Sequence, residues 1–225
     1  MDYQAIWLTF KLASITTVLL LILATPLAWW LAFSRARFKP VVEAITALPL
    51  ILPPTVLGFY FLILLGPNAG LGKWWFELTG STLTFSFSGL VIASMVYSLP
   101  FVAQPLSNAF AAMGTKPLEE AANLGAGPID RFFTVALPLS KRGILTASVL
   151  GFAHTVGEFG VVLMVGGNIP GKTRVISISI FEDVETLNFA NAHIMSAALV
   201  GFSFVVLLVV FSLNRNFPIV GGGSK

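Results

Sequence analysis

Apolar residues in this chain come in long runs, and polar residues gather in the gaps between them. A bilayer's hydrocarbon core is about 30 Å thick, so a spanning helix needs about 20 apolar residues. On that scale the pattern predicts five spans, at about residues 6–33, 41–65, 88–112, 144–165 and 191–213. The second carries Pro49, Pro53 and Pro54, and the third carries Pro100. Interior prolines remove helix hydrogen bonds and crowd the preceding turn. Broken backbone at membrane depth is tolerated only against protein or a water-filled cavity. The second span is therefore either a kinked packing helix or a wall of a polar path. Residues 66–87, with Pro67, Asn68, Gly70 and Gly72, read as a loop whose Trp74 and Trp75 suit a membrane interface. Residues 166–190 read as a polar loop; its apolar piece, 175–181, is too short to cross.

The longest gap is residues 113–144, MGTKPLEEAANLGAGPIDRFFTVALPLSKRGI. It reads as two short helices with a glycine joint. Pro117 lies near the start of the first, where a missing N–H costs nothing. Glu119 and Glu120 follow where acids suit the helix dipole. Gly125 is a natural C-terminal stop. Gly127-Pro128 restarts a helix, and Leu137-Pro138 ends it. A segment of this kind between spans is built to be gripped from one side of the membrane.

Composition narrows the class. The chain has 225 residues, 56% hydrophobic and 10% charged, with a mean hydropathy of +0.88. That leaves room for roughly five or six spans and for no separate catalytic domain. The expected fold class is all-α, a polytopic membrane protein. A net charge of +3 without a basic, aromatic-interleaved patch gives no reason to expect nucleic acid. The absence of cysteine excludes disulfides, thiol catalysis and zinc-thiolate sites. The first apolar run lacks a basic flank and a small-residue cleavage site, so it reads as a retained span. Residues 1–220 read as one transmembrane domain, and 221–225, Gly-Gly-Gly-Ser-Lys, as a linker or tag remnant. Arg35, Arg37, Lys39, Lys116, Arg131, Lys141, Arg142 and Arg215 fall on one side of the five spans. Lys11, Lys73, Lys172 and Arg174 fall on the other. The positive-inside bias then puts the 113–143 segment and the C-terminus in the cytoplasm and the N-terminus outside.

Two constellations invite a chemical reading. Gly166-Gly167-Asn168-Ile169-Pro170-Gly171-Lys172-Thr173 satisfies the G-x-x-x-x-G-K-[ST] pattern of phosphate-cradling loops. Pro170 offers no N–H to a loop whose work is done by N–H groups. The preceding run is a membrane helix, and the topology puts the loop outside. The pattern is therefore read as an external loop. His154 and Glu158 lie four apart in span four and would share a face of a continuous helix. Ionisable groups in a span face a cavity or a partner. The two could pair structurally, line a path or relay protons. Gly157 and Gly160 flank Glu158 and allow close helix approach. His193 lies on another segment, so no metal site is expected. No Ser-His-Asp set, acid pair or dinucleotide fingerprint stands out, and no catalytic residue is assigned.

Glu119-Glu120-Ala121-Ala122-Asn123-Leu124-Gly125, followed by Leu137-Pro138, resembles the E-A-A loop of ABC-importer permeases. Counted back from Gly125 the motif acid is Glu119, with Glu120 at the first Ala position. Alternatively the triplet is Glu120-Ala121-Ala122, with one residue fewer before the glycine. Val135 stands where Ile is usual. The stretch Leu48 to Gly58 (LPLILPPTVLG), Gly157-Glu158-Phe159-Gly160, and Gly167-Asn168-Ile169-Pro170-Gly171-Lys172-Thr173-Arg174 narrow the resemblance to the permeases of molybdate importers, over nearly the whole chain.

This resemblance implies a type I ABC importer permease fold of the MetI-like kind, in a bacterial or archaeal inner membrane. It implies two copies forming a path, an ATPase subunit gripping Glu119, Glu120, Ala121, Ala122, Gly125, Leu137 and Pro138, and an external oxyanion-binding protein. ATP and magnesium would sit on the ATPase, with no cofactor in this chain. Pro53, Pro54, Thr55, His154, Gly157, Glu158 and Gly160 are expected along the path or its gate. Glu158 should repel an anion, so it is expected to fix architecture or to gate. Asn168, Lys172, Thr173 and Arg174 are expected to face the binding protein. Tungstate is nearly the same ion as molybdate. The alternatives are a sulfate or thiosulfate ABC permease, and a proton-coupled carrier using His154 and Glu158.

Overall fold

The computed structural model describes residues 2–68 and 70–213; Arg215 and the 221–225 tail lie outside the described residues. The chain is all-α. Helix α1, Tyr3–Phe33, is the first long apolar element, capped by Asp2, whose side chain accepts the Ala5 N–H at 2.9 Å. Helices α2, Lys39–Ala47, and α3, Pro54–Leu65, form a broken span with a 3-10 turn at Leu48–Leu50 between them. Helix α4, Gly70–Thr79, lies in the stretch expected to be a loop. Its first-turn glycines mimic loop composition, while Trp74, Trp75 and Phe76 give it a helical apolar side. Helix α5, Phe87–Met113, is the second long element, started by Ser86, which accepts the Gly89 N–H.

The 113–143 segment then folds as α6, Lys116–Asn123, α7, Pro128–Arg131, a π turn at Phe132–Ala136, and α8, Leu137–Leu139. Helices α9, Lys141–Val156, and α10, Gly160–Gly166, form the second broken span. Helix α11, Ile176–Glu185, is the short apolar piece, and α12, Phe189–Leu213, closes the described chain. Among the described residues three helices, α1, α5 and α12, are long and apolar enough to cross a membrane, and each bent pair as one span brings the number to five.

The core is a three-helix packing of α1, α5 and α9. Leu20, Ala24 and Ala28 of α1 meet Val102, Ala103, Leu106 and Phe110 of α5 and Ala147 of α9. The alanines let backbones approach, which is how helices associate where lipid and side chain are equally apolar. A second cluster joins Leu8 and Leu12 to Leu90, Val91, Val162, Val175 and Ile178, so α11 is packed into the bundle. A third joins Phe61 and Leu65 of α3 to Ala93 of α5 and Val161 and Val165 of α10.

Both broken spans bend more sharply than a proline kink. The α2–α3 pair turns by 106° and the α9–α10 pair by 60°. In the first, Pro53 and Pro54 withhold two consecutive N–H groups, and Pro54 opens α3. The second corrects the expectation of one continuous helix. The ladder of α9 stops at Val156, and Gly157, Glu158 and Phe159 form a joint before α10. His154 and Glu158 therefore do not share a helix face.

Candidate functional site

Three regions carry the residues singled out by sequence. In the 113–143 segment, α6 starts with Pro117 in its first turn and Glu119 close behind. Glu119 and Glu120 are both exposed. The segment's glycine has a defined conformational task. Gly125 sits at φ +90°, open to space but closed to residues with a Cβ. Its N–H donates to the Ala122 carbonyl at 2.9 Å, and the Ala126 N–H donates to the Ala121 carbonyl at 3.0 Å. These two bonds make a Schellman stop, which turns the chain out of α6 and into α7. The spacing from the alanines to the glycine is the spacing of that stop.

Leu137-Pro138 does not end the second helical stretch, as expected from sequence; the coil runs through it to Leu139. Pro138 cannot donate to the fourth residue back. The backbone widens into the π turn just before it, where the Leu137 N–H donates to Phe132, five residues back. Sequence reading also missed the apolar residues left in the open here: Leu124 is 89% exposed, Ile129 76% and Phe133 61%. Apolar residues flanking a glycine in an otherwise polar segment were the available signal. Beneath them, Trp29 of α1 meets Phe110 of α5 and Phe132 of the π turn, both edge-on with ring centres 5.2 Å apart. A pocket of about 430 Å³ opens between Trp29, Leu118, Pro128, Arg131 and Phe133. The segment is thus exposed on one side and keyed by aromatic rings to the ends of two long helices on the other.

The second region is where the broken spans meet. A Cβ built on Gly160 would lie 2.7 Å from Cβ of Pro54, and one on Gly58 would lie 2.5 Å from Cβ of Met164. Glycine at both places lets α3 and α10 touch, and sets the Pro53-Pro54 break against the start of α10. Pro53, Thr55 and Gly157 are exposed there, while Glu158 is buried. His154 lies one turn before the joint. Its Nδ1 shares a hydrogen bond with Ser98 Oγ at 2.8 Å, and Ser98 Oγ also lies 3.0 Å from Thr155 Oγ1. The imidazole stacks on Phe101 with ring centres 3.8 Å apart, and Tyr97 flanks it at 4.9 Å. The structure brings Pro54 and Gly160 together and holds His154 to α5, not to Glu158. Broken helices with hydroxyl groups at membrane depth can pass a polar solute that a continuous apolar helix would exclude.

The third region is the loop after α10, roughly 45 Å from the first along the 31 residues of α1. Its N–H groups turn inward: those of Lys172, Thr173 and Arg174 all converge on the Ile169 carbonyl at 2.9–3.1 Å. Thr173 is fully buried; its hydroxyl donates to the Gly166 carbonyl at 2.7 Å and accepts the Ile169 N–H at 3.2 Å. This corrects the expectation that Thr173 faces outward. Arg174 is occupied as well. It donates to Asn168 Oδ1 at 2.6 Å, pairs with Glu182 at 3.0 Å and lies 4.0 Å from Asp2. Asn168 and Lys172 remain exposed. A loop with its donors turned onto its own carbonyl cannot cradle a phosphate.

Residues 24–218 match the family model described as binding-protein-dependent transport system inner membrane component. The chain belongs to that family. It is 57% identical over 214 residues to the molybdenum transport system permease protein ModB of Azotobacter vinelandii, covering 95% of each chain. The Haemophilus influenzae protein of the same name is 33% identical, over 96% of this chain and 93% of its own. Among solved structures, the MetNI methionine ABC transporter in inward-facing conformations aligns with a TM-score of 0.72 at 17% identity, over 96% of this chain and 95% of that one. The MetI-like permease fold expected from the sequence is thus the fold observed, and the resemblance to molybdenum permeases holds across the chain. The family's members are inner-membrane transport components.

Proposed function

We propose that this chain is the membrane subunit of an ATP-driven molybdate importer that also admits tungstate. Residues 1–220 act as one transmembrane domain, and two copies form the path. The observation that carries the coupling half of this reading is the 113–143 segment. Its exposed acids and apolar side chains surround a rigid Schellman turn, and its inner side is keyed to α1 and α5 through Trp29, Phe110 and Phe132. An ATPase subunit grips Glu119, Glu120, Ala121, Ala122, Gly125, Leu137 and Pro138, with Leu124 and Ile129 adding apolar contact. ATP and magnesium reside on that partner. The basic residues flanking the spans support a cytoplasmic position for this segment and an external N-terminus.

ATP binding closes the ATPase pair and draws the two coupling segments together, and the aromatic cluster passes that motion to the long helices. The path opens outward to an oxyanion-binding protein, and hydrolysis resets it. ATP drives the switch because it binds the two states unequally. The solute passes beside the meeting point of the broken spans, where Pro54 touches Gly160, with Pro53, Thr55, His154 and Gly157 as its further path residues, and Glu158 shapes the joint without touching the anion. On the external side, Asn168 and Lys172 are the exposed loop residues that meet the binding protein.

The test is uptake into liposomes holding this chain with its ATPase, with binding protein outside and ATP inside. ATP-dependent molybdate uptake, blocked better by tungstate than by sulfate, is the expected result. ATP-dependent uptake of sulfate alone would keep the class and change the substrate. Uptake without ATP, driven by a pH gradient, would overturn the reading.

A further inference from the structure

The pocket beneath the 113–143 segment holds a cation that no acid answers. Arg131 of α7 lines it together with Trp29, Leu118, Pro128, Phe132 and Phe133. Arg131 is half-buried, and its Nε is fully buried with no hydrogen-bond partner. Its Nη1 lies 3.5 Å from the Leu118 carbonyl, too far for a strong bond. Among the described residues the ion pairs belong to Lys39, Lys73 and Arg174, so neither the neighbouring Asp130 nor any other acid pairs with Arg131. A guanidinium carries five N–H donors in a planar fork and keeps its proton. Set against aromatic rings, it calls for an anion with two oxygens side by side. The other walls are apolar. The volume, about 430 Å³, falls within the roughly 300–1,000 Å³ of sites that take an organic molecule.

We infer that this pocket is a site for an anionic membrane phospholipid, with Arg131 holding the phosphate and the apolar walls the start of the chains. The depth of the pocket favours a lipid. Helix α1 has 31 residues, and roughly 20 suffice to cross the hydrocarbon. With the excess shared between its two ends, Trp29, in the last turns before the helix stops at Phe33, falls at the edge of the core. That is the level of the headgroups, where indole rings collect. Phe133, 61% exposed at the pocket, lies where a chain can cover it. Glu119, Glu120 and Leu124, which meet the ATPase, do not line the pocket. Basic pockets between membrane helices on the cytoplasmic side are suited to acidic headgroups, and that leaflet is the anionic one. The inference takes the cytoplasmic position of the segment from the reading above only to say which leaflet supplies the lipid. Bound there, the lipid ties the foot of α1 to α6 and α7.

The experiment is native mass spectrometry of the full chain released from micelles that carry equal amounts of dioleoylphosphatidylglycerol and dioleoylphosphatidylcholine. The chains are the same, so only the heads compete, and the result does not depend on orientation in a membrane. The adduct with one phosphatidylglycerol should exceed that with one phosphatidylcholine by roughly fivefold. Arg131→Gln, polar but uncharged, should bring the two to parity. Arg131→Lys keeps the charge without the fork and should fall between. Arg35→Gln with Arg37→Gln removes two exposed charges outside the pocket and should leave the preference in place. Parity in the wild type, or a preference that survives in Arg131→Gln, would overturn the inference. A preference lost equally in the Arg35 and Arg37 variant would overturn it too, by showing a general attraction to basic residues. Parity in the wild type, with Arg131→Gln weakening ATPase association instead, would hand the pocket to that subunit.

Discussion

The segment between α5 and α9 and the loop between α10 and α11 are both glycine-containing interruptions that match a phosphate- or partner-binding pattern. They use their polar groups in opposite ways. The first closes its backbone with two bonds at Gly125 and leaves Glu119, Glu120, Leu124 and Ile129 facing outward. The second folds Lys172, Thr173 and Arg174 N–H groups onto one carbonyl, buries Thr173 and surrounds Arg174 with acids. A pattern of residue types says which groups exist. Whether they are offered to a partner depends on where the backbone turns them.

Breaking the contrast at its strongest point means removing the Schellman stop or reversing its charge. Gly125→Pro, and separately Glu119→Lys with Glu120→Lys, should abolish copurification of the ATPase while the protein still enters the membrane. Undiminished copurification would sink the coupling assignment. Leu124→Asp with Ile129→Asp should weaken ATPase association by about tenfold or more, roughly 1.4 kcal/mol, as read by titration of the purified partner. In the other loop, Thr173→Val removes a buried hydroxyl that satisfies both the Gly166 carbonyl and the Ile169 N–H. It should cost about 1–3 kcal/mol of stability and leave ATPase association unchanged; a thermal melt beside a pull-down separates the two effects. Lys172→Ala should change neither stability nor nucleotide binding by the assembled complex, and a loss of nucleotide binding would revive the phosphate-loop reading.

The sequence shows the spans and the turn at Gly125 because both are local. Runs of about twenty apolar residues announce helices, and a proline start with a glycine stop announces α6. Pro53-Pro54 likewise marks the first break, though not its 106° angle. The second break was illegible, since Gly157 and Gly160 serve tight packing inside a continuous membrane helix as well as they serve a joint. The partner of His154 was illegible for another reason: Ser98 lies 56 residues away and meets it only through the packing of α5 on α9. Helix α4 was hidden by loop-like glycines, and the inward turn of Thr173 depends on a carbonyl seven residues earlier.

The aromatic contact at the foot of α1 gives the molecule an optical handle. Trp29 lies edge-on to Phe110, in a long helix, and to Phe132, in the exposed segment. Any motion of that segment relative to the helices must change the surroundings of this indole. With Trp7, Trp30, Trp74 and Trp75 replaced by Phe, Trp29 is the one emitter left among the five tryptophans. Its colour and quenching then report each stroke in real time, without an attached dye.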